Sequence, residues 1–187
     1  PTLALLGDAA IALECGTAFV DPGVTATDVC DGDLANSVVI NGAVNSSVPG
    51  EYTLTYDVND SAGNPAAPVQ RVVTVSDTLA PVISVVGGDV TVECGTQYVD
   101  AGATAADVCS GSIAVVTNNP VDAASPGVYT VTYTAQDAAG NPAQAQRTVT
   151  VQDTTPPVVT LIGQASITLN INTPYTDAGV NATDTCD

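Results

Sequence analysis

No histidine and no lysine occur in the 187 residues, and Arg71 and Arg147 are the only side-chain cations against twenty carboxylates, for a net charge of −18. Nucleophilic triads and most metal centres need His, so the chain is read as non-enzymatic. Asp pairs of the glycosidase kind would lie on turns with no aromatic platform to hold a sugar. Nothing here can neutralise phosphates, which excludes nucleic acid, and the same deficit excludes direct binding to anionic membranes. Isopeptide crosslinks from Lys to Asn are impossible. Aromatics are few: Phe19, Tyr52 and Tyr56, then Tyr98, Tyr129 and Tyr133, with Tyr175 near the end. No apolar stretch of about 20 residues appears, so any export signal or anchor is expected outside this sequence.

What is present is a repeat. The string LECGTAFVDPGVTATDVCDG from Leu13 returns as VECGTQYVDAGATAADVCSG from Val92, and again as LNINTPYTDAGVNATDTCD from Leu169. Such recurrence marks one supersecondary unit copied in series. The expected boundaries are residues 1–78 for the first unit, 79–154 for the second and 155–187 for the start of an incomplete third. Runs rich in Val, Thr, Ile and Tyr alternate with Gly, Pro, Asn and Asp clusters, and no helical periodicity is sustained. The fold class is therefore all-β, and seven short strands per unit suggest tandem seven-stranded β-sandwiches, which the motifs below liken to the immunoglobulin-like kind. Strands are expected over 2–6, 9–15, 23–28, 37–41, 43–47, 51–59 and 68–76, with Tyr52, Leu54, Tyr56 and Val58 facing the core. The linkers Asp77-Thr78-Leu79-Ala80-Pro81 and Asp153-Thr154-Thr155-Pro156-Pro157 are short and carry proline, which favours a rod over a flexible string.

Units this small have marginal cores and need reinforcement. Cys15 and Cys30 recur as Cys94 and Cys109 at the same spacing, and a disulfide closing each loop would stabilise a unit by about 3 kcal/mol in the chain-entropy model. That reading implies an oxidising compartment; reduced thiols are the alternative, and a zinc site is disfavoured by two thiolates per repeat and no His. In the third copy Ile171 replaces the first cysteine. Cys186 is therefore free, bonded to another chain as an intermolecular thiol, or paired outside this segment.

Pro49-Gly50-Glu51-Tyr52 and Pro126-Gly127-Val128-Tyr129 resemble the tyrosine corner of immunoglobulin-type sandwiches. The full pattern, ECGTAFVDPGVTATDVCDGDL, PGEYTLTYDVNDSAGNP and RVVTVSDTLAPV, resembles the bacterial immunoglobulin-like and hyalin-type (HYR-like) repeats of secreted and cell-surface proteins. The resemblance implies an extracellular or cell-surface location and leaves function open, because such modules serve as stalks, spacers, filament subunits and appendages.

Seventeen Asp against three Glu suggests oxygen cages for Ca²⁺. In the first repeat Asp28, Asp31 and Asp33 share one loop, and Asp60 with Asn64 occupies the last hairpin. The arrangement resembles cadherin-type junctions, which implies Ca²⁺ held by Asp77, Asp107, Asp137 and Asn141 at the first junction and by Asp153, Asp184 and Asp187 at the second. Ser110 and Ser112 stand where the first repeat has Asp31 and Asp33, so the first junction is expected to bind more weakly or not at all. The alternative is that these Asp side chains only cap turns, the role assigned to Asp21, Asp100 and Asp177. Asn45, Asn59 and Asn181 match the N-glycosylation pattern. Together these features point to a structural extracellular protein, a stalk or filament subunit. Its expected partners are further copies of the same repeat, with self-association into a fibre. The alternative is an adhesive or carbohydrate-binding module whose glycan or host-protein partner the sequence does not name.

Overall fold

Short β-branched runs become strands, and the Gly, Pro and Asp clusters between them become turns. The computed structural model describes residues 1–186. Its contacts form two units, one of residues 1–82, 105–114 and 135–143, the other of residues 83–104 and 115–134 with the chain from Gln144 onward. In the first repeat β1 (Thr2–Leu5), β3 (Val24–Asp28) and β4 (Gly32–Asp33) form one sheet in the order β1-β3-β4. The second sheet, β2-β7-β6-β5, comprises β2 (Ala10–Glu14), β5 (Val39–Asn41), β6 (Gly50–Asp57) and β7 (Val69–Ser76). β2 runs parallel to β7, with Glu14 opposite Ser76, while β1 and β3 are antiparallel, with Thr2 opposite Thr27.

The second repeat uses β8 (Val82–Val85), β9 (Val90–Glu93), β10 (Ala103–Asp107), β11 (Gly111–Ile113), β12 (Val116–Asn118), β13 (Gly127–Gln136) and β14 (Pro142–Gln152). They take the same orders, β11-β10-β8 and β12-β13-β14-β9. The third contributes β15 (Val158–Leu161) antiparallel to β16 (Val180–Thr183), the counterpart of β1 with β3. Residues 166–170, the counterpart of β2 and β9, are not a strand. β2 and β9 pair only with the last strand of their own repeat, β7 or β14, and the third copy includes no such strand.

Six of the seven expected strands of the first repeat form. The seventh, over 43–47, does not. Asn45 begins a turn there, its Oδ1 accepting from Ser47 N and its carbonyl from Val48 N. The Val48 carbonyl in turn accepts the Tyr52 hydroxyl at 2.8 Å, and the Ser125 carbonyl accepts that of Tyr129 at 2.8 Å. These are the two tyrosine corners. The missing strand is replaced by Gly32–Asp33 on the opposite sheet.

Alternation along β6 buries Leu54 and Tyr56, with Val58 continuing the row just beyond the strand. One apolar cluster gathers Ala26, Leu34, Val58 and Ala66, and a second gathers Val73 and Val75 around Cys15. The charge count concealed a further feature: Arg71 is fully buried. Its guanidinium pairs with Asp21 and donates to the Tyr56 hydroxyl at 3.1 Å and to the carbonyls of Asp8, Leu6 and Gly23 at 3.1, 2.5 and 3.2 Å. Its Cζ lies 5.6 Å from the Tyr56 ring centroid, within cation–π range. Tyr56 donates to Asp21 at 2.7 Å, and burial followed by that carboxylate pushes its pKa up to about 12.

Arg147 repeats the arrangement with Asp100 (2.5 Å), Tyr98, Tyr133 and the Val86 carbonyl. Burial pushes the Asp100 carboxyl up, but hydrogen bonds from Tyr133 and Tyr98 and the Arg147 charge outweigh it and its pKa is lowered. Among the described residues Arg147 Nε has no hydrogen-bond partner. The reason is one residue: Gly7 to Cys15 is one longer than Gly87 to Cys94, and the extra residue, Asp8, supplies the carbonyl that Arg71 Nε uses. Asp21 and Asp100 do form their turns, accepting from Gly23 N and Gly102 N at 3.1 Å, and also neutralise the buried cations.

Removing one member of a buried, hydrogen-bonded ion pair strands the other. Arg71→Met should therefore cost about 3 to 5 kcal/mol, read as a lower urea midpoint, and adding Asp21→Ala should recover much of it. Because the folded pKa of Asp100 is depressed, its contribution is present above the unfolded value of about 3.9 and lost as pH falls through the folded one. Asp100→Asn should accordingly flatten the acid limb of the stability curve of the second repeat.

Candidate functional site at the joints between repeats

Glu-Cys-Gly ends β2 and β9 next to the last strand of the same repeat: Cys15 N donates to the Ser76 carbonyl at 2.8 Å and Cys94 N to the Gln152 carbonyl at 2.7 Å. Since β2 parallels β7, Cys15 stands where the chain leaves the sandwich. β3 opposes β1, so Cys30 stands where the chain enters. The expected bonds Cys15–Cys30 and Cys94–Cys109 are therefore not made. Cys15 bonds Cys109 and Cys94 bonds Cys186, with Cα–Cα distances of 6.1 and 6.2 Å, each joining one repeat to the next. Cys186, expected to be free, intermolecular or paired outside the segment, is bonded to Cys94 of the same chain, and Cys30 is free and exposed. A closed loop near 94 residues constrains the unfolded chain by about 4.7 kcal/mol in the entropy model, against about 3 for the shorter loop expected.

The flanking residues of the motif have separate tasks. Glu14 clamps the linker, accepting from Thr78 N at 2.8 Å and Thr78 Oγ1 at 2.7 Å; Glu93 does the same for Thr154, at 2.7 Å from each. These bonds, Thr78 N first, hold the Glu14 carboxyl below its ordinary range. Gly16 has φ +82, and a Cβ there would collide with Val108 Cγ1; at Gly95, φ +81, it would collide with Thr185 Cγ2. Glycine is required on both counts. Beyond the linker, Asn141 Nδ2 donates to the carbonyls of Asp77 and Leu79 at 3.2 Å each and to Asp137 Oδ2 at 2.8 Å.

Of the residues expected to bind Ca²⁺, the structure brings Asp77 and Asp107 together: with Cys109 Sγ they lie within 4.8 Å of one another, the one such convergence among the described residues. Cys109 is in a disulfide and offers no thiolate. Burial, then the charges of Asp107, Asp137 and Glu14, raise the Asp77 pKa. Asp107 also holds a turn, as do most of the others. Asp107 Oδ1 accepts from Cys109 N and Ser110 N, and Asp28 Oδ1 from Cys30 N and Asp31 N. Asp33 Oδ1 accepts from Ala35 N, Asp60 from Ala62 N and from the N and Nδ2 of Asn64, and Asp137 Oδ1 from Asn141 N. Asp153 Oδ1 accepts from Thr155 N, Asp184 Oδ1 from Cys186 N, and Asp187 lies outside the described residues. Asp31 takes Ser61 N and Oγ, and Ser110 Oγ takes Ala138 N, so the Asp-to-Ser change preserves a bond between loops. Asn45, Asn59 and Asn181 are exposed.

Peptide mapping without reduction should recover Cys15–Cys109 and Cys94–Cys186 with one alkylated thiol at Cys30. Gly16→Ala, which is strained in φ and clashes with Val108, should lower the stability of this joint by about 1 to 3 kcal/mol and speed reduction of Cys15–Cys109 by dithiothreitol.

The family model "Bacterial surface protein, Ig-like domain" matches residues 3–75 and 87–151. Hyalin of Lytechinus variegatus is 41% identical over 133 residues, covering 66% of this chain and 25% of that protein. Hyalin of Strongylocentrotus purpuratus is 39% identical over 144 residues, covering 71% and 12%. The chain thus spans a quarter or less of the length of these relatives. Among solved structures, the lipoprotein BT2262 from Bacteroides thetaiotaomicron matches at TM-score 0.38 and 20% identity over 76% of this chain and 96% of that one. The matched family is one of surface domains and not of enzymes, and with the disulfides it places the protein outside the cell or on its surface. The chain belongs to the bacterial surface Ig-like domain family, in tandem repeats of the hyalin type.

Proposed function

We propose that the chain is part of a stalk or filament, a passive load-carrying element whose repeats are held in series by their crosslinks, with no catalytic role. The observation that carries this reading is the pair of disulfides between successive repeats. They overlap along the sequence, so a pull on the chain ends runs from residue 1 to Cys15, across to Cys109, back to Cys94 and across to Cys186. Only about 33 residues lie on that covalent path even if every sandwich unfolds. At roughly 3.5 Å per residue the crosslinked chain stops near 115 Å, against about 650 Å for the reduced one. Further copies of the repeat are the partners this reading requires.

Ca²⁺ at the first joint is the second part of the proposal. Asp77 and Asp107 supply the converging oxygens, and Asp137 and Glu14 add to the negative field that raises the Asp77 pKa. A bound cation would offset like charge that the buried arginines cannot reach. Asn141 is better suited to clamping the linker, since its amide nitrogen donates to the Asp77 and Leu79 carbonyls. With Asp77 raised in the folded state, its contribution is present at low pH and lost as pH rises through that value, which is the range where the cation would act.

Single-molecule stretching tests the first part: an oxidised chain that extends as far as the reduced one would end the load-path reading. For the second, millimolar Ca²⁺ should stabilise the protein by about 1 to 3 kcal/mol for affinities typical of extracellular modules, and Asp77→Asn or Asp107→Asn should remove most of the gain. Identical melting curves in EDTA and in Ca²⁺ would take the metal out of the account.

A further inference from the structure

Cys30 is the counterpart of Cys109 and Cys186, both of which are bonded to the Glu-Cys-Gly loop of the repeat before them. We propose that Val29, Cys30 and Asn64 form a receiving face for the Glu-Cys-Gly loop and linker of a further repeat of this type, joined ahead of the first, with a disulfide closing on Cys30. The inference rests on reading the chain as a crosslinked array and adds the joint that its first repeat is built to make.

Three features of the occupied joint reappear at this face with nothing seated on them. Asp28 Oδ1 holds Cys30 N at 2.8 Å and Asp31 N at 3.2 Å, as Asp107 Oδ1 holds Cys109 N at 2.7 Å and Ser110 N at 2.9 Å, so the thiol is carried on the same turn. Val29 is fully exposed, at 101%, while its counterpart Val108, itself 74% exposed, sets its Cγ1 where a Cβ on Gly16 would lie. Asn64 Nδ2 donates to Asp60 Oδ2 at 2.8 Å, and Asn141 Nδ2 makes the same bond to Asp137 while also donating to both linker carbonyls. The face therefore offers a thiol, an apolar knob and an amide donor in the arrangement that the second repeat uses to hold the first.

The third repeat cannot supply the mating loop. Ile171 occupies the cysteine position, and Asn172 keeps the left-handed turn at φ 63 but carries the Cβ that Gly16 and Gly95 must lack. A second copy of this chain consequently has no free Glu-Cys-Gly loop, which is why the occupant is another repeat. In the proposed step two thiols form one S–S bond, and their two protons and two electrons reduce oxidised glutathione to two molecules of the thiol. The Cys15–Cys30 and Cys94–Cys109 segments then become successive links of one covalent spine.

The test places an additional copy of residues 81–156 ahead of Pro1, so that Pro156 meets Pro1 as it natively meets Pro157. The protein is refolded in a glutathione redox buffer and mapped without reduction. Cys30 should be joined to the added copy's Cys94, its alkylation lost, and the one free thiol moved to the added copy's Cys109. Cys15–Cys109 and Cys94–Cys186 in the same map report that the original repeats have folded and leave the array reading intact. If both are present while Cys30 is still alkylated, or is found joined to Cys30 of a second chain, the proposal is overturned.

Discussion

The bond between Cys15 and Cys109 sets the terms for everything around it. A disulfide holds two Cα atoms about 6 Å apart, so the chain at the exit of one sandwich and the loop at the entry of the next must meet closely and repeatedly. Glu14 and Gly16 are consequences of that requirement. The glutamate fixes the linker threonine so that the strand leaves at one angle, and the glycine removes the side chain that would keep Val108 away. Asn141 closes the other side of the linker with two bonds to its carbonyls. What recurs in the sequence as Glu-Cys-Gly is thus a joint, built from the far end of one repeat and the near end of its successor.

The interior of each sandwich answers a different constraint. With so few aromatics, the core is completed by a buried arginine whose head is paired with a carboxylate, tyrosine hydroxyls and carbonyls. A charge so enclosed contributes little net stability compared with a well-packed apolar side chain, yet its loss would strand several polar groups at once. It also ties the first β-turns of the repeat to the last strand, which are distant in sequence. Both arginines being occupied in this way, the surface is left almost uniformly acidic, and at the joint Asp77 and Asp107 converge.

Much of this was legible from pattern alone. Alternation in Glu51 to Val58, the two tyrosine corners and six of seven strands in the first repeat follow from local rules, since period-2 burial and turn chemistry act over a few residues. The strand expected at 43–47 failed because Asn45 turns the chain there, taking Ser47 N and Val48 N, while the corner hydroxyl takes the Val48 carbonyl. The cysteine pairing misled because equal spacing within each repeat suggested adjacency, although β2 and β3 end at opposite poles of the sandwich. The odd cysteine did not decide between the schemes: pairing within repeats leaves Cys186 over, and pairing from one repeat to the next leaves Cys30 over. Nothing local distinguished the buried arginines from solvated ones.

The amino-acid sequence by itself determined the repeat, the all-β class, the sandwich and the acidic surface, because composition and short-range periodicity are sufficient for each. Only the tertiary structure decided which sulfur meets which, that Arg71 and Arg147 are interior, and which of the many Asp side chains converge. Those are properties of where distant segments end in space, and strand direction, not spacing along the chain, determines that.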